Sequence, residues 1–394
     1  MKILVINAGS SSLKCQYFIN RQSVVSALIE RIGEREAKAT LHYRHHTITH
    51  ETSLKDHHEA LALLGKLFAL SGALEDFSTL DAIGHRVVHG GEHFSAPVRI
   101  TPKVMESIEA LIPLAPLHNP ANLEGIQAFH TAYPDIPQVA VFDTAFHQTI
   151  PPHAYHYAIP LTLKEKLHIR RYGFHGTSHS FVAKEAAKRL GKPLESLNLI
   201  TLHLGNGASA CAVQEGKSID TSMGFTPLEG LVMGTRSGDL DPAILPYLER
   251  NGYDTESIDN LLNKESGLLG ICGTNDMREV ITLTAQGNQN ATLALEIFCY
   301  RIRKYIGAYA VALGSLDTIV FTGGIGEHAT KVRQMVCEDL GILGVKYDDD
   351  KNEAVGAEGG RFHQDESTVS LLVVPTNEEL EIALQCEEVL VGSI

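Results

Sequence analysis

Apolar residues form a short uninterrupted run at positions 3–6, and a second apolar-rich run follows at positions 16–19. Runs of this length, bounded by Gly and Ser, predict two buried strands. The connection between them, residues 9–12, reads Gly-Ser-Ser-Ser and so carries only small side chains, hydroxyls and free backbone N–H groups. It predicts either an ordinary hairpin turn or a turn that binds a phosphate.

The phosphate interpretation assigns four residues around this turn. The polar groups of Asn7, Ser10 and Ser12 would face the anion, and Lys14 would add a positive charge. Gly and Ser are common in turns of every kind, so this stretch alone leaves both interpretations open.

The same pattern recurs about half the chain away. Residues 199–204 predict a strand, residues 205–209 a turn of small residues, and residues 210–213 a second strand. A repeated strand–turn–strand unit indicates an internal duplication. The two halves would present two phosphate turns to one ligand in the cleft between two domains.

A third Gly-rich turn is predicted at residues 322–327, between a strand and a helix in which Val332, Met335, Val336 and Leu340 recur at helical spacing. Glycine permits close backbone approach, and a helix N-terminus offers N–H groups to an anion. The segment from Gly324 to Ala329 also matches the dinucleotide-binding fingerprint loosely. This match lies late in the chain, and a similar match at Gly205 is followed by a strand instead of a helix, so both disfavour a dehydrogenase. No P-loop motif occurs in the sequence.

Several charged or amide side chains fall at predicted strand ends, before helices or in a Gly-rich loop: Arg86, His118, Asn119, Asp143, His175, Arg236, Asn377 and Glu378. Each could be a core salt bridge or a helix cap. Open α/β sheets, however, place their sites at strand ends. Together these residues supply acids and an amide for Mg²⁺ and cations for a migrating phosphoryl group, as phosphoryl transfer requires.

Composition narrows the class of protein. The chain has 394 residues, 44% of them hydrophobic and 20% charged, which predicts two globular domains. No apolar run reaches the length of a membrane span, and no secretory signal is recognised. Six scattered cysteines without a C-x-x-C pair predict reduced thiols and a cytoplasmic location.

Charge and histidine content disfavour two further kinds of function, nucleic-acid binding and a histidine metal site. The net charge of −14 disfavours a nucleic-acid-binding protein, because no basic surplus or stripe is present. The 20 histidines are densest at residues 42–61, without H-E-x-x-H or regular ligand spacing. This run therefore predicts a solvated surface rather than a metal site.

Eight motifs follow one another along the chain: NAGSSSLK, HRVVHGG, FDTAFHQT, RRYGFHGTSH, HLGNGAS, GFTPLEGLVMGTRSGDLDP, FTGGIGE and PTNEE. In these motifs and their order, the chain resembles the acetate kinase family over nearly its whole length. This resemblance implies an α/β fold with two duplicated ribonuclease H-like domains of the actin and hexokinase type. The expected boundaries are residues 1–146 with 381–394 for the first domain, and 147–380 for the nucleotide-binding domain.

The resemblance also implies the site residues. Mg²⁺, with Mn²⁺ as an alternative, would be held by Asn7 and Glu378. The catalytic set would be Arg86, Asp143, His175 and Arg236. The acyl pocket would be formed by Arg86, Val88, Leu117, His118, Phe174 and Pro227. The ATP or ADP contacts would be Ser10, Ser12, Lys14, His203, Leu204, Gly205, Asn206, Gly207, Asp276, Met277, Arg278, Gly324, Ile325, Gly326, Glu327 and His328.

The implied reaction is reversible transfer of the ATP γ-phosphoryl group to acetate, giving acetyl phosphate and ADP, in a homodimer without nucleic-acid or membrane partners. A carboxylate of pKa about 4 is already an anion at neutral pH, so no general base is needed. Asp143 is therefore predicted to orient the metal, directly or through water. Val88 favours acetate over propionate. The alternatives are a propionate kinase and, in another class, a non-enzymatic nucleotide switch, which Arg86 and Arg236 disfavour.

Overall fold

The computed structural model describes residues 1–392 and divides into two compact units. The first unit is Met1–Phe146 together with the chain from Asn377 onward, and the second is His147–Thr376. No helix in residues 1–392 is both long enough and apolar enough to cross a bilayer.

In the first 146 residues the strands are β1 (Lys2–Gly9), β2 (Ser12–Ile19), β3 (Gln22–Glu30), β4 (Ala37–Tyr43), β5 (His46–Thr52), β6 (Ala82–Val87), β7 (Val98–Arg99) and β8 (Gln138–Phe142). The α-helices there are α1 (His57–Ser71), α2 (Pro102–Ala110) and α3 (Asn119–Ala132). Short 3₁₀ turns lie at Phe77–Thr79, Ile112–Leu114 and Ala145–Thr149.

The strands of the second unit are β9 (Asn198–Leu204), β10 (Ala208–Gln214), β11 (Lys217–Thr221), β12 (Thr318–Thr322), β13 (Gly360–Arg361) and β14 (Ser370–Val373). Its helices are α4 (Pro152–Tyr155), α5 (Leu161–Leu167), α6 (Gly176–Leu190), α7 (Ile244–Arg250), α8 (Thr255–Lys264), α9 (Gly267–Cys272), α10 (Met277–Ala285), α11 (Gln289–Leu313), α12 (Gly323–His328), α13 (Thr330–Cys337) and α14 (Asp349–Glu353), with 3₁₀ turns at Leu194–Ser196 and Gly341–Leu343. The last helix, α15 (Glu378–Val391), returns to the first unit.

The two sheets share one topology, which is the duplication that the repeated turns predict. Within the described residues, the first sheet runs β5-β4-β3-β2-β1-β6-β8-β7 and the second β11-β10-β9-β12-β14-β13. In the first, β1 is antiparallel to β2 and parallel to β6, and β6 is parallel to β8. In the second, β9 is antiparallel to β10 and parallel to β12, and β12 is parallel to β14. Each predicted strand–turn–strand segment is therefore a hairpin beside a parallel core.

Strand β1 is buried on both faces, which explains its uninterrupted apolar run. Leu4 and Ile6 pack in a core with residues of α1 and α3. Ile3 and Val5 point to the opposite face, where they pack with residues of α15. Helix α15 begins where the Asn377 side chain accepts a hydrogen bond of 3.0 Å from the N–H of Leu380.

The third predicted turn is wrong in one respect. Residues 323–327 form the start of helix α12, which begins directly after β12 and ends at His328. Gly323 makes the sharp change of direction with φ of +75°, a conformation that favours glycine. Ala329, with φ of −91° and ψ of 84°, separates α12 from α13, and Leu340 lies beyond the end of α13.

Candidate functional site

Three parallel strands of the first unit end in the polar residues that the sequence predicts to be functional. Asn7 lies near the end of β1, Arg86 lies on β6, and Asp143 follows β8 directly. Asn7 shares its strand face with Val5, and that face packs against α15. The first residue of α15 is Glu378. The sheet order therefore brings residues far apart in sequence to one edge.

Arg86 and Asp143 form an ion pair at this edge, in which two guanidinium nitrogens donate to one carboxylate. The Arg86 Nε donates to both carboxylate oxygens of Asp143 at 3.1 Å, and Nη2 donates to Oδ2 at 2.6 Å. Asp143 is 1% exposed. Although burial opposes it, the charge of Asp143 and those of Glu378 and Glu379 raise the pKa of Arg86. The direct partner of Asp143 is thus the Arg86 guanidinium. That Asp143 orients a metal stays a prediction.

The same edge carries more negative than positive charge. Glu378 and Glu379 add to Asp143, while Lys14 forms an ion pair with Glu379 and Arg86 is the other cation. Burial raises the pKa of Glu378, and the carboxylates of Asp143 and Glu379 add to the effect of burial against the opposing charge of Arg86. An additional cation would relieve this repulsion.

A magnesium ion fits these donors. Asn7 is partly exposed, and within residues 1–392 the hydrogen-bond contact of its Oδ1 is a long one of 3.4 Å with Arg86 Nη1. Asn7 Oδ1 and Glu378 supply two oxygen donors, and Mg²⁺ commonly takes one or two protein ligands plus water and substrate phosphates. In residues 1–392 no cluster of three or more His, Cys, Asp or Glu side chains could hold a metal by itself.

The remaining predicted residues of the first unit differ in exposure. Val88 is 6% exposed and directly follows β6. Leu117 is 67% exposed, and His118, at the N-cap of α3, is also exposed. Ser10 is an exposed residue of the turn between β1 and β2, and Ser12 is the first residue of β2. Apart from Arg86, three predicted pocket residues belong to this unit, and of these Val88 is buried while Leu117 and His118 are exposed.

In the second unit His175 occupies a strained position before α6. Its φ is +56°, in the left-handed region that non-glycine residues seldom adopt. Its Nδ1 lies 2.9 Å from Ser209 Oγ, and its ring stacks on that of His203 with centroids 4.2 Å apart. Ser209 Oγ also lies 2.8 Å from Nε2 of His179, which is fully buried. This chain of contacts holds the His175 ring in one orientation.

Arg236 is the second arginine of the candidate site, and its surroundings are unlike those of Arg86. It is half-buried, and its Nη1 donates to the Pro227 carbonyl at 3.2 Å and contacts Met233 Sδ at 3.5 Å. Among the described residues no carboxylate pairs with it, and burial lowers its pKa. A Cβ atom placed on Gly207 would lie 3.5 Å from the His175 ring and 3.6 Å from Arg236 Nη1. Both side chains thus converge on the turn between β9 and β10.

An open cleft of about 770 Å³ lies beside this turn. Eight of the predicted ATP contacts line it: Gly205, Asn206, Asp276, Met277, Arg278, Gly324, Ile325 and His328. Its volume is that of a pocket for a molecule of nucleotide size. Asp276 caps α10 and pairs with Arg278, whose hydrogen bonds lower the pKa of that carboxyl to about 2.

Other predicted ATP contacts do not line this cleft. His203 and Leu204 end β9, and Leu204 is fully buried. Gly326 is also buried. The Glu327 carboxylate turns back to accept hydrogen bonds from the N–H groups of Gly323 and Thr376, at 2.9 and 3.2 Å. Glu327 therefore braces α12, and its contact with ATP stays a prediction.

The pocket residues of the second unit are partly enclosed. Phe174 is 3% exposed, and its carbonyl accepts a hydrogen bond of 3.0 Å from His147 Nε2. Pro227 is half-buried and touches Arg236 through its carbonyl.

Several residues that support these sites were not predicted from the sequence. Ser209 and His179 lie behind His175, and Asn275 and Lys331 line the cleft. In the first unit Asn122 was not predicted, and it forms a pair of buried amides on α3 with Asn119, which the sequence did single out. The spacing of two asparagines, three apart on an otherwise apolar helix face, is the signal that could have identified the last pair.

Comparison with known proteins gives consistent matches over the whole chain. The model of the acetokinase family matches residues 2–384. The acetate kinase of Sulfurovum sp. (strain NBC37-1) is 58% identical over 389 residues, 98% of either chain. The chain belongs to the acetokinase family.

Two solved structures are highly similar to the chain in fold and sequence. The acetate kinase of Porphyromonas gingivalis matches with a TM-score of 0.95 at 43% identity over 99% of both chains. A propionate kinase from Francisella tularensis matches with a TM-score of 0.91 at 47% identity over 98% of both chains. The acetokinase resemblance and the predicted α/β fold class of the actin and hexokinase type are confirmed.

Proposed function

We propose that this protein is an acetate kinase, which transfers the γ-phosphoryl group of ATP to acetate and reverses the reaction from acetyl phosphate and ADP. The observation that carries the proposal is the convergence of His175 and Arg236 on Gly207, beside a nucleotide-sized cleft. Arg236 is a partly buried cation that no carboxylate of residues 1–392 pairs with, so we infer that its ligand is an anionic group.

The chain's residues answer the main obstacle of the reaction, the repulsion between a carboxylate and a polyphosphate. We propose that Arg86 binds the carboxylate or acyl phosphate while Asp143 holds the guanidinium plane in place. His175 and Arg236 stabilise charge on the migrating phosphoryl group. Since the acetate is already an anion, no residue has to remove a proton from it.

Magnesium, or Mn²⁺, is proposed as the metal, with Asn7 and Glu378 as its protein ligands. When bound, the ion neutralises charge on the ATP phosphates. Lys14, which pairs with Glu379 here, and the turn residues Ser10 and Ser12 are proposed to lie near those phosphates. EDTA should abolish the activity and added Mg²⁺ should restore it.

The domain roles follow the same proposal. Residues 1–146 with 381–394 would carry the carboxylate site and the first phosphate turn, and residues 147–380 would bind ATP. We further propose a cytoplasmic homodimer. All six cysteines lie within the described residues and are free thiols. Exposed apolar side chains on α5 and α7, among them Leu161 and Tyr247 at 61% each, support a subunit interface, which sedimentation velocity would test.

The test measures ADP formation from Mg-ATP with acetate, propionate or butyrate, each acyl phosphate being trapped as its hydroxamate. Acetate should give the highest kcat/KM, with propionate slower rather than excluded, because one methylene changes binding by about 1–3 kcal/mol. The related propionate kinase makes propionate the specific alternative, and a higher kcat/KM for propionate would establish it. ATP turnover without hydroxamate would instead indicate a nucleotide switch.

A further inference from the structure

Helix α3 carries two buried amide side chains, whereas its other buried residues are apolar. Asn119 is fully buried and Asn122 is 3% exposed. They lie three residues apart, so both face the same side of the helix. That side packs against β1 and β6, the strands that lead to the first phosphate turn and to Val88.

Asn122 makes one hydrogen bond to each of these two segments. Its Nδ2 donates to the Ala8 carbonyl at 2.7 Å, one residue before the end of β1. Its Oδ1 accepts from the Val88 N–H at 3.0 Å. A carbonyl can only accept and a backbone N–H can only donate, so the chemistry of the partners fixes the amide's orientation.

Other contacts of the same helix reinforce this arrangement. Asn119 Oδ1 accepts from the His89 N–H at 3.1 Å, and its Nδ2 donates to the His89 carbonyl at 3.0 Å. A Cβ atom on Gly125 would lie 2.7 Å from the Ala8 Cβ, so α3 and β1 are in close contact. Both segments are therefore held by α3 at adjacent points.

The phosphate turn has one more tie to α3. The His57 side chain is 3% exposed, and its Nε2 lies 2.9 Å from the Gly9 carbonyl. Its Nδ1 lies 3.2 Å from Glu124 Oε1 on α3. His57 thus links the turn to the same helix, independently of Asn122.

We propose that Asn122 is a positioning residue that couples the first phosphate turn to the acyl pocket at Val88. The inference rests on the proposed function, because it assigns the turn to ATP and Val88 to the acyl group. Asparagine suits the position because its amide carries a donor group and an acceptor oxygen, and both reach their partners from one short side chain. Aspartate keeps the acceptor but lacks the donor, and alanine lacks both.

The consequence is a change in substrate discrimination as well as in rate. Without the amide, the Val88 N–H and the Ala8 carbonyl lose their buried partners, and the pocket residue and the turn can move relative to each other. Small misplacements of reacting groups lower rates strongly. We expect Asn122→Ala to lower kcat/KM for acetate at least 30-fold and to change the acetate-to-propionate ratio of kcat/KM at least threefold.

The ratio separates positioning from a loss of folded protein. A variant that only unfolds more easily contains fewer active molecules, which lowers both kcat/KM values equally and leaves the ratio unchanged. Gln127→Ala is the matched control, since it truncates an exposed amide on the same helix, and it should behave like the wild type. A folded Asn122→Ala with the wild-type ratio would overturn the inference while leaving the proposed function standing.

Two further variants keep the test decisive. If Asn122→Ala does not fold, Asn122→Asp is measured for the same ratio, with the same outcomes. If neither folds, Asn122→Ser, whose hydroxyl can both donate and accept but is too short to reach both partners, is measured for the same ratio against Gln127→Ser. A changed ratio with Asn122→Ser alone supports the proposal, and a wild-type ratio in both variants overturns it. A wild-type enzyme that phosphorylates no carboxylate would refute the proposed function and this inference with it.

Discussion

Replacing Arg86 by alanine should leave Asp143 as a buried carboxylate without its partner. Among residues 1–392, every hydrogen bond to the Asp143 side chain comes from Arg86, at 3.1, 3.1 and 2.6 Å. With 1% of its surface exposed, Asp143 cannot replace these bonds with water unless the local structure opens. The variant should therefore lose stability as well as activity.

The expected size follows from the burial of the pair. Removing one partner of a buried ion pair costs about 3–5 kcal/mol. For a unit of this size, each kcal/mol lowers the melting temperature by roughly 2–4 °C, so a decrease of about 6–20 °C is expected. Arg236→Ala should show no such decrease, since no carboxylate in the described part of the chain pairs with Arg236.

The assay combines thermal and urea unfolding, followed by circular dichroism, with the hydroxamate rate. Arg86→Ala, Arg236→Ala and the double variant Arg86→Ala/Asp143→Ala are compared with the wild type. The double variant should recover stability relative to Arg86→Ala, by at least about 1–2 kcal/mol, because no unpaired buried charge remains. It should stay inactive.

Two results would refute this reasoning. If Arg86→Ala unfolds within about 1 kcal/mol of the wild type, burial of Asp143 does not depend on the arginine. If the double variant is less stable than Arg86→Ala, the lost stability comes from packing of the arginine side chain instead of from the unpaired carboxylate.

Three further predictions concern the second unit and the pH dependence. Arg236→Ala should lower kcat on the order of 10³ with the fold intact, and a rate within tenfold of the wild type would contradict it. Gly323→Ala should destabilise the protein by roughly 1–3 kcal/mol, because Gly323 has φ of +75° and an added Cβ would lie 2.7 Å from the Leu204 carbonyl oxygen. Gly324→Ala meets nothing within 4 Å and is the control; equal urea midpoints would refute the steric argument. Burial lowers the pKa of His85 from 6.5 to about 4, so between these values the unfolded state binds more protons and stability falls as the pH falls. His85 contributes up to about 1.4 kcal/mol per pH unit to the free energy of unfolding. His85→Gln should therefore show a smaller change of that free energy with pH in urea unfolding, and a slope equal to the wild type's counts against the prediction.

Local patterns predicted the elements that depend on neighbouring residues. The turns at residues 9–12 and 205–207 are short connections between apolar runs, and the structure forms hairpins at both. Strands β6 and β8 lead to Arg86 and Asp143 as expected. Local patterns were less reliable at Gly323, where the backbone starts a helix because its positive φ redirects the chain at once after β12.

The sequence by itself therefore determined which chemical groups lie at the ends of strands, and the repeated turn that indicates a duplicated fold. The tertiary structure decided which of those groups meet. Arg86 pairs with Asp143 because β6 and β8 are neighbours in the sheet, while Arg236 has no carboxylate partner among the described residues. The amide of Asn122 reaches Ala8, 114 positions away in sequence, because α3 packs on β1. Hydrogen bonds and ion pairs act over a few ångströms, so their partners depend on packing between elements, which no local pattern of residues specifies.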